Sequence, residues 1–192
     1  MKKLLSYMML CSFLTCSCAT YNPFPLGRLH GDPCPYGEGR HPGIDFDIFS
    51  GKPIIACSDG KVEWVGEPCP KERYCGGFLV KIRHEDHFSS NNMHLSKVYV
   101  SRNQSVKRGQ LIGLSGPSNS GYEHLHFGIV KIRGDGGMYS QTYDPNKFWL
   151  DGKPQCFDPN KDYSSYSQKE ITLPVACGDY AKELKSKTKK KD

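Results

Sequence analysis

The stretch H-P-G-I-D-F-D-I at residues 41–48 alternates apolar and acidic side chains in its second half. Because successive side chains of a β-strand point to opposite faces, this pattern predicts a strand over residues 44–48, with Asp45 opposite the apolar face. The proline and glycine disfavour a helix, so we expect His41 on a turn that leads into the strand. His41 and Asp45 can then converge on one point, and imidazole nitrogen with carboxylate oxygen is a ligand combination that suits zinc.

Short apolar stretches separated by turn residues continue along the chain, with little helical periodicity. Candidate strands cover residues 44–48, 53–57, 61–66, 78–84, 97–100, 110–114 and 124–133. We therefore expect a mostly β fold, a sandwich or barrel with few or no helices outside the N-terminal segment.

Two further histidine patterns are candidates for chemistry. In H-L-H-F, residues 124–127, the strand period of two places His124 and His126 on one face, about 7 Å apart. One of them can bind a metal while the other reaches a substrate, although two surface histidines on an edge strand would give the same pattern. His94 is expected in a polar loop ahead of the strand at residues 97–100, where a single histidine is often incidental.

The 192 residues carry a formal net charge of +6, and this charge comes from the two ends of the chain. Lys2 and Lys3 lie at the start, and residues 182–192 are rich in lysine. The body between them is neutral. This distribution argues against a nucleic-acid partner, which would need basic residues clustered on the folded part.

Residues 1–19 have the form of an export signal, with a charged start, an apolar stretch and the small-x-small end S-C-A. Lipid attachment at Cys16 or Cys18 is the alternative. We expect a main domain over residues 20–150, a C-terminal extension over residues 151–181 and a disordered tail over residues 182–192.

Six cysteines remain beyond residue 19, an even number that suggests up to three disulfides in an exported chain. The expected pairs are Cys69 with Cys75, Cys156 with Cys177 and, by elimination, Cys34 with Cys57. A cysteine zinc site is disfavoured because the chain has no C-x-x-C pair.

Four segments together resemble the ordered signature of the lysostaphin-type, or LytM-domain, zinc metallopeptidases. They are H-P-G-I-D-F at residues 41–46, M-H-L at 93–95, S-V-K-R-G-Q-L-I-G-L-S-G at 105–116 and H-L-H-F at 124–127. The resemblance covers about residues 35–133 and implies a compact antiparallel β-sheet or sandwich domain of the LytM type, whose central groove holds one zinc ion.

The resemblance also implies roles for single residues. His41, Asp45 and His126 match the metal ligands of the family, and His94 and His124 match the two histidines that handle the water and the transition state. The division of these last two roles is open. Tyr36 is the nearest candidate for an oxyanion donor. The H-x-x-H pair of His84 and His87 is left out of the metal site.

We therefore expect an exported zinc metalloendopeptidase that hydrolyses peptide cross-links of bacterial peptidoglycan with metal-activated water. It would act as a monomer in the periplasm or cell envelope, and it would touch the membrane only through a lipid anchor. Two alternatives remain: a non-catalytic, zinc-binding regulator of other wall hydrolases, and a disulfide-tied module whose zinc only stabilises the fold.

Overall fold

A computed structural model describes most of the chain between residues 24 and 188. The described ranges are residues 24–34, 39–68, 76–85, 88–118, 122–131 and 141–188. The expected export signal, Tyr36, His87 and the expected Cys69–Cys75 disulfide lie outside them. Within these ranges, no helix has the length and apolar character that crossing a membrane requires.

The described residues form nine strands in one antiparallel sheet, which confirms the mostly β prediction. The strands are β1 (Ile44–Phe46), β2 (Pro53–Ile55), β3 (Gly60–Gly66), β4 (Phe78–Arg83), β5 (Phe88–Val98), β6 (Ser105–Val106), β7 (Leu111–Ser115), β8 (Leu125–Lys131) and β9 (Gln141–Tyr143). The main path runs β1-β8-β5-β4-β3-β6, β9 pairs with β8, and β7 pairs with both β2 and β5. Two 3-10 helices, Pro145–Lys147 and Leu150–Gly152, and the helix α1, Gly178–Thr188, follow.

Strand β5 is the branch point of the sheet and the largest departure from the sequence prediction. Its first half pairs with β8 up to Met93, and its last residues pair with β7 from Leu95 onward. The prediction of a loop around His94 is therefore wrong. Its polar residues gave no apolar alternation, yet several are buried and paired; the Asn92 side chain, for example, donates to the Val80 carbonyl.

The core lies against the inner face of β1 and β8. Ile44, Phe46, Leu125 and Phe127 are fully buried there, and each such side chain contributes about 1.5–3 kcal/mol on burial. The segment 171–176 closes this core and forms backbone hydrogen bonds with Pro53 and Ile55 of β2 and with Cys57 after it. The outer face of β1 and β8 is left for polar side chains.

The helix α1 overturns the prediction of a disordered tail from Lys182, since it extends to Thr188. Its lysines pair with acidic residues one turn away: Lys182 with Asp179 at 2.7 Å and Lys187 with Glu183 at 2.6 Å. Buried Leu184 anchors the helix. Tyr180 and Ala181 pack in the same apolar cluster, but so few apolar residues among charges are too weak a pattern to be recognised in the sequence.

The cysteines follow the prediction in part. Cys156 and Cys177 form the predicted disulfide, with Cα atoms 5.9 Å apart. The predicted pair of Cys34 and Cys57 is wrong, because both thiols are free. Pairing by elimination assumed that every cysteine is oxidised, whereas Cys57 is buried and its sulfur lies 3.9 Å from His84 Nε2.

Removing the disulfide should destabilise the fold. Its cysteines are 21 residues apart. A disulfide that closes a loop of this length lowers the entropy of the unfolded chain and thereby stabilises the fold by about 3 kcal/mol. A double Cys156→Ser, Cys177→Ser variant should lose about that much in urea unfolding. Cys34→Ser is the control, and an equal loss in both variants would contradict this prediction.

Buried His84 should make the fold acid-sensitive. Its Nδ1 donates to the Asp59 carbonyl at 2.7 Å and its Nε2 lies 2.9 Å from Ser90 Oγ. Burial lowers the pKa of His84 from 6.5 to about 4. Between these pH values the unfolded chain binds a proton at His84 and the folded chain does not. The free energy of unfolding should therefore fall between pH 6.5 and 4, by up to about 3 kcal/mol.

Urea unfolding across this pH range tests the prediction. His84→Gln should be less stable at neutral pH but should lose less stability on acidification than the wild type. Equal pH dependence in the two proteins would show that His84 is not the group responsible.

Candidate metal and catalytic site

Asp45 and His126 face each other across the first strand pair of the site. In the antiparallel pairing of β1 with β8, Asp45 is the register partner of His126. Both side chains therefore lie on the sheet face opposite the core, and Asp45 Oδ1 lies 2.9 Å from His126 Nδ1. Both residues are buried, so this is a polar contact shielded from water.

His41 reaches the same point from the turn that precedes β1. Its Nε2 lies 3.1 Å from Asp45 Oδ1 and 2.9 Å from His126 Nδ1. The turn approaches β8 so closely that a Cβ at Gly43 would stand 2.3 Å from the Phe127 carbonyl oxygen. Only glycine fits at this position, and this close approach brings His41 over the two strands.

These three residues, which we call the ligand cluster, fit a metal ion. One ligand atom from each lies within 4.8 Å of the others. His41 Nδ1 donates to the Leu29 carbonyl at 3.0 Å, which leaves the lone pair of Nε2 facing Asp45 and His126. Two imidazole nitrogens and one carboxylate oxygen form a donor set suited to catalytic zinc, which keeps a further position open for water.

Electrostatics of the ligand cluster also favour a cation. Burial by itself would raise the pKa of Asp45, but hydrogen bonds from His126 and His41 hold it well below its ordinary value. Burial is the largest single influence on His41 and lowers its pKa, but the hydrogen bond to Asp45, the charge of Asp45 and the bond to the Leu29 carbonyl together outweigh it, so that the net pKa is raised. Asp45 is therefore a carboxylate at neutral pH.

His94 and His124, which we call the histidine pair, lie beside the ligand cluster. Their ring centroids are 4.6 Å apart, and His124 Nε2 lies 3.8 Å from Asp45 Oδ1. His94 has a φ of 63°, an uncommon conformation for a residue other than glycine, at the point where β5 exchanges β8 for β7 as its partner. The branch in the sheet therefore sets the position of His94.

The pair is neutral at neutral pH. Burial is the largest influence on both residues. Together with the neighbouring histidines it lowers the pKa of His94 to about 4, against the hydrogen bond to the Gly76 carbonyl. Burial likewise lowers the pKa of His124, against the attraction of Asp45. His94 Nδ1 donates to the Gly76 carbonyl at 2.7 Å, so its Nε2 keeps a free lone pair.

The structure thus brings together all five residues singled out in the sequence and adds Tyr122. The Tyr122 hydroxyl lies 3.3 Å from Asp45 Oδ2, and its ring stacks on His124. The sequence signal for Tyr122 is an aromatic residue two positions before the H-x-H pattern, whereas the sequence analysis considers only Tyr36, near the first motif. His84 lies outside the site and serves the core, as its hydrogen bonds show.

The part of the chain that carries this site is similar to known proteins. The model of Peptidase family M23 matches residues 39–145. The chain is 39% identical over 92 residues to peptidoglycan DD-endopeptidase ShyB of Vibrio cholerae, covering 47% of this chain and 20% of ShyB. It is also 39% identical over 111 residues to glycyl-glycine endopeptidase ALE-1 of Staphylococcus capitis, covering 56% of this chain and 27% of ALE-1. The match thus spans about a fifth to a quarter of each relative.

Solved structures agree with the sequence match. The catalytic domain of lysostaphin from Staphylococcus simulans superposes with a TM-score of 0.55 at 33% identity, covering 65% of this chain and 90% of that domain. A zinc-containing peptidase from Vibrio cholerae superposes with a TM-score of 0.50 at 27% identity, covering 63% of this chain and 35% of the other.

One relative has a different role. The chain is 36% identical over 92 residues to the murein hydrolase activator NlpD of Escherichia coli, covering 48% of this chain and 23% of NlpD. Similarity over this domain is therefore shared by endopeptidases and by an activator of other hydrolases.

Proposed function

The chain belongs to Peptidase family M23, and from this premise we propose that it is a zinc metalloendopeptidase that hydrolyses peptide cross-links of bacterial peptidoglycan. The observation that carries the proposal is the combination of a complete ligand cluster with a buried, neutral histidine pair in one site. A site that only held a structural metal would not need the histidine pair. The similarity to the peptidoglycan DD-endopeptidase ShyB supports peptidoglycan as the substrate, and the similarity to the glycyl-glycine endopeptidase ALE-1 supports cleavage within a peptide.

His41, Asp45 and His126 would hold the zinc ion. When bound, zinc supplies a Lewis acid for the scissile carbonyl and lowers the pKa of a water towards about 7. Asp45 would neutralise part of the added charge, and its Oδ2 can keep the hydrogen bond from the Tyr122 hydroxyl. The Leu29 carbonyl fixes the orientation of the His41 ring.

The histidine pair would move the proton. A neutral imidazole can take a proton from the attacking water, and the same imidazole, once charged, can donate to the oxyanion or to the leaving amine. His94 is held for this work by the Gly76 carbonyl, and His124 Nδ1 lies 3.3 Å from the Tyr122 carbonyl oxygen. Both rings therefore keep Nε2 available on the site side.

Peptidoglycan lies outside the cytoplasmic membrane, so this function needs export. The signal expected over residues 1–19 would provide it. The NlpD-like alternative, activation of other wall hydrolases, predicts zinc binding without cleavage.

Turnover of dye-labelled peptidoglycan tests the proposal. The purified protein should release soluble dye, a chelator should stop the release, and added zinc should restore it. Zinc-loaded protein that releases no dye alone, but accelerates a second hydrolase, would favour the activator reading instead.

A further inference from the structure

Tyr122 contacts two of the five site residues with three different parts of its structure. Its hydroxyl donates to Asp45 Oδ2 at 3.3 Å, and its ring stacks on His124 with centroids 4.3 Å apart and an interplanar angle of 20°. Its carbonyl oxygen lies 3.3 Å from His124 Nδ1. We propose that Tyr122 is a positioning residue that orients one metal ligand and one catalytic histidine, an inference that rests on the proposed zinc chemistry.

The two oxygens of Asp45 have different partners. Oδ1 faces His41 Nε2 at 3.1 Å and His126 Nδ1 at 2.9 Å, whereas Oδ2 accepts the bond from Tyr122. Without that bond the carboxylate can rotate about its own axis. Because ligating carboxylates depend on such outer hydrogen bonds, losing one typically weakens metal binding by about 10-fold to 100-fold.

The ring and the carbonyl act on His124. The carbonyl accepts a hydrogen bond from His124 Nδ1. The Nε2 atom of His124 is therefore directed towards Asp45 Oδ1, which lies 3.8 Å away. The stacked ring covers one face of the imidazole and limits its rotation. Ser118 Oγ donates to the same carbonyl at 2.8 Å and thereby helps to fix its position.

The position of Tyr122 makes it suitable for substitution. Tyr122 is 37% exposed, so its replacement opens no cavity in the core. Tyr143 of β9 is a matched control, because its hydroxyl donates to Gln141 Oε1 at 3.0 Å, a partner outside the site.

The experiment compares the full chain with Tyr122→Phe, Tyr122→Leu and Tyr143→Phe. Zinc affinity is measured by competition with a chromogenic chelator, the visible spectrum is recorded with cobalt in place of zinc, and kcat and KM are measured at saturating zinc. Tyr122→Phe should raise the Kd for zinc about tenfold or more and change the cobalt spectrum. Tyr122→Leu should share that rise and, through His124, have a lower kcat than Tyr122→Phe at similar KM.

Each contrary result overturns one part of the proposal. Tyr122→Phe with the zinc Kd and cobalt spectrum of Tyr143→Phe would overturn the role of the hydroxyl while leaving the proposed function intact. Equal kcat values for Tyr122→Phe and Tyr122→Leu would overturn the role of the ring. A wild-type protein that binds no zinc would overturn the proposed function and this inference together.

Discussion

Replacing His126 by alanine is expected to abolish zinc binding and peptidase activity together. His126 Nδ1 lies 2.9 Å from both Asp45 Oδ1 and His41 Nε2, so the substitution removes one of three ligand atoms from the middle of the ligand cluster. Since a catalytic zinc supplies several kcal/mol of transition-state stabilisation, activity should fall by about a thousandfold or more. Metal analysis of the dialysed protein and a turnover assay measure the two losses.

His30→Ala is the matched control for this variant. The His30 ring lies 3.4 Å from Thr142 Oγ1 in β9 and supplies no atom to the ligand cluster, so this variant should keep about one zinc per chain and full activity. Thermal unfolding of both apo proteins separates loss of metal from loss of fold. Stoichiometric zinc in folded His126→Ala protein would refute the ligand assignment.

Replacing His94 or His124 by alanine should separate catalysis from metal binding. Neither residue belongs to the ligand cluster, so each variant should retain about one zinc per chain. Activity should nevertheless fall on the order of a hundredfold or more, because a positioned general base or oxyanion donor is lost. Turnover by each zinc-loaded variant, compared with the wild type, gives the size of the effect.

Two outcomes would change this account. If His124→Ala lost its zinc while His126→Ala kept it, the roles of these two histidines would have to be exchanged. If both His94→Ala and His124→Ala cleaved peptidoglycan at the wild-type rate, the histidine pair would not be catalytic.

The ligand cluster could be predicted because strand periodicity and turn chemistry act locally. The alternation after His41 placed Asp45 on the polar face of β1, and the spacing of H-x-H placed both histidines of β8 on one face. The antiparallel register then brings Asp45 opposite His126. The sequence shows which faces are polar, and the resemblance implies that these three residues form one ligand set.

Features that depend on long-range packing were missed. Strand β5 shows no apolar alternation because several of the side chains that it buries are polar, and the sequence therefore predicts a loop at His94. Cys57 stays reduced because the core encloses it, and counting cysteines cannot reveal that. Tyr122 lies outside the described strands, where no periodic pattern indicates that its hydroxyl reaches Asp45.

Mass spectrometry of peptidoglycan digested in heavy-oxygen water tests the central claim most directly. Hydrolysis by the zinc-loaded wild-type protein should create new peptide carboxyl termini that each carry heavy oxygen, and the same termini identify the bond that is cut. These termini should be missing from digests with the chelated protein and with His126→Ala. Zinc-loaded, folded wild-type protein that creates no labelled termini would contradict the claim that this site is a peptidoglycan endopeptidase.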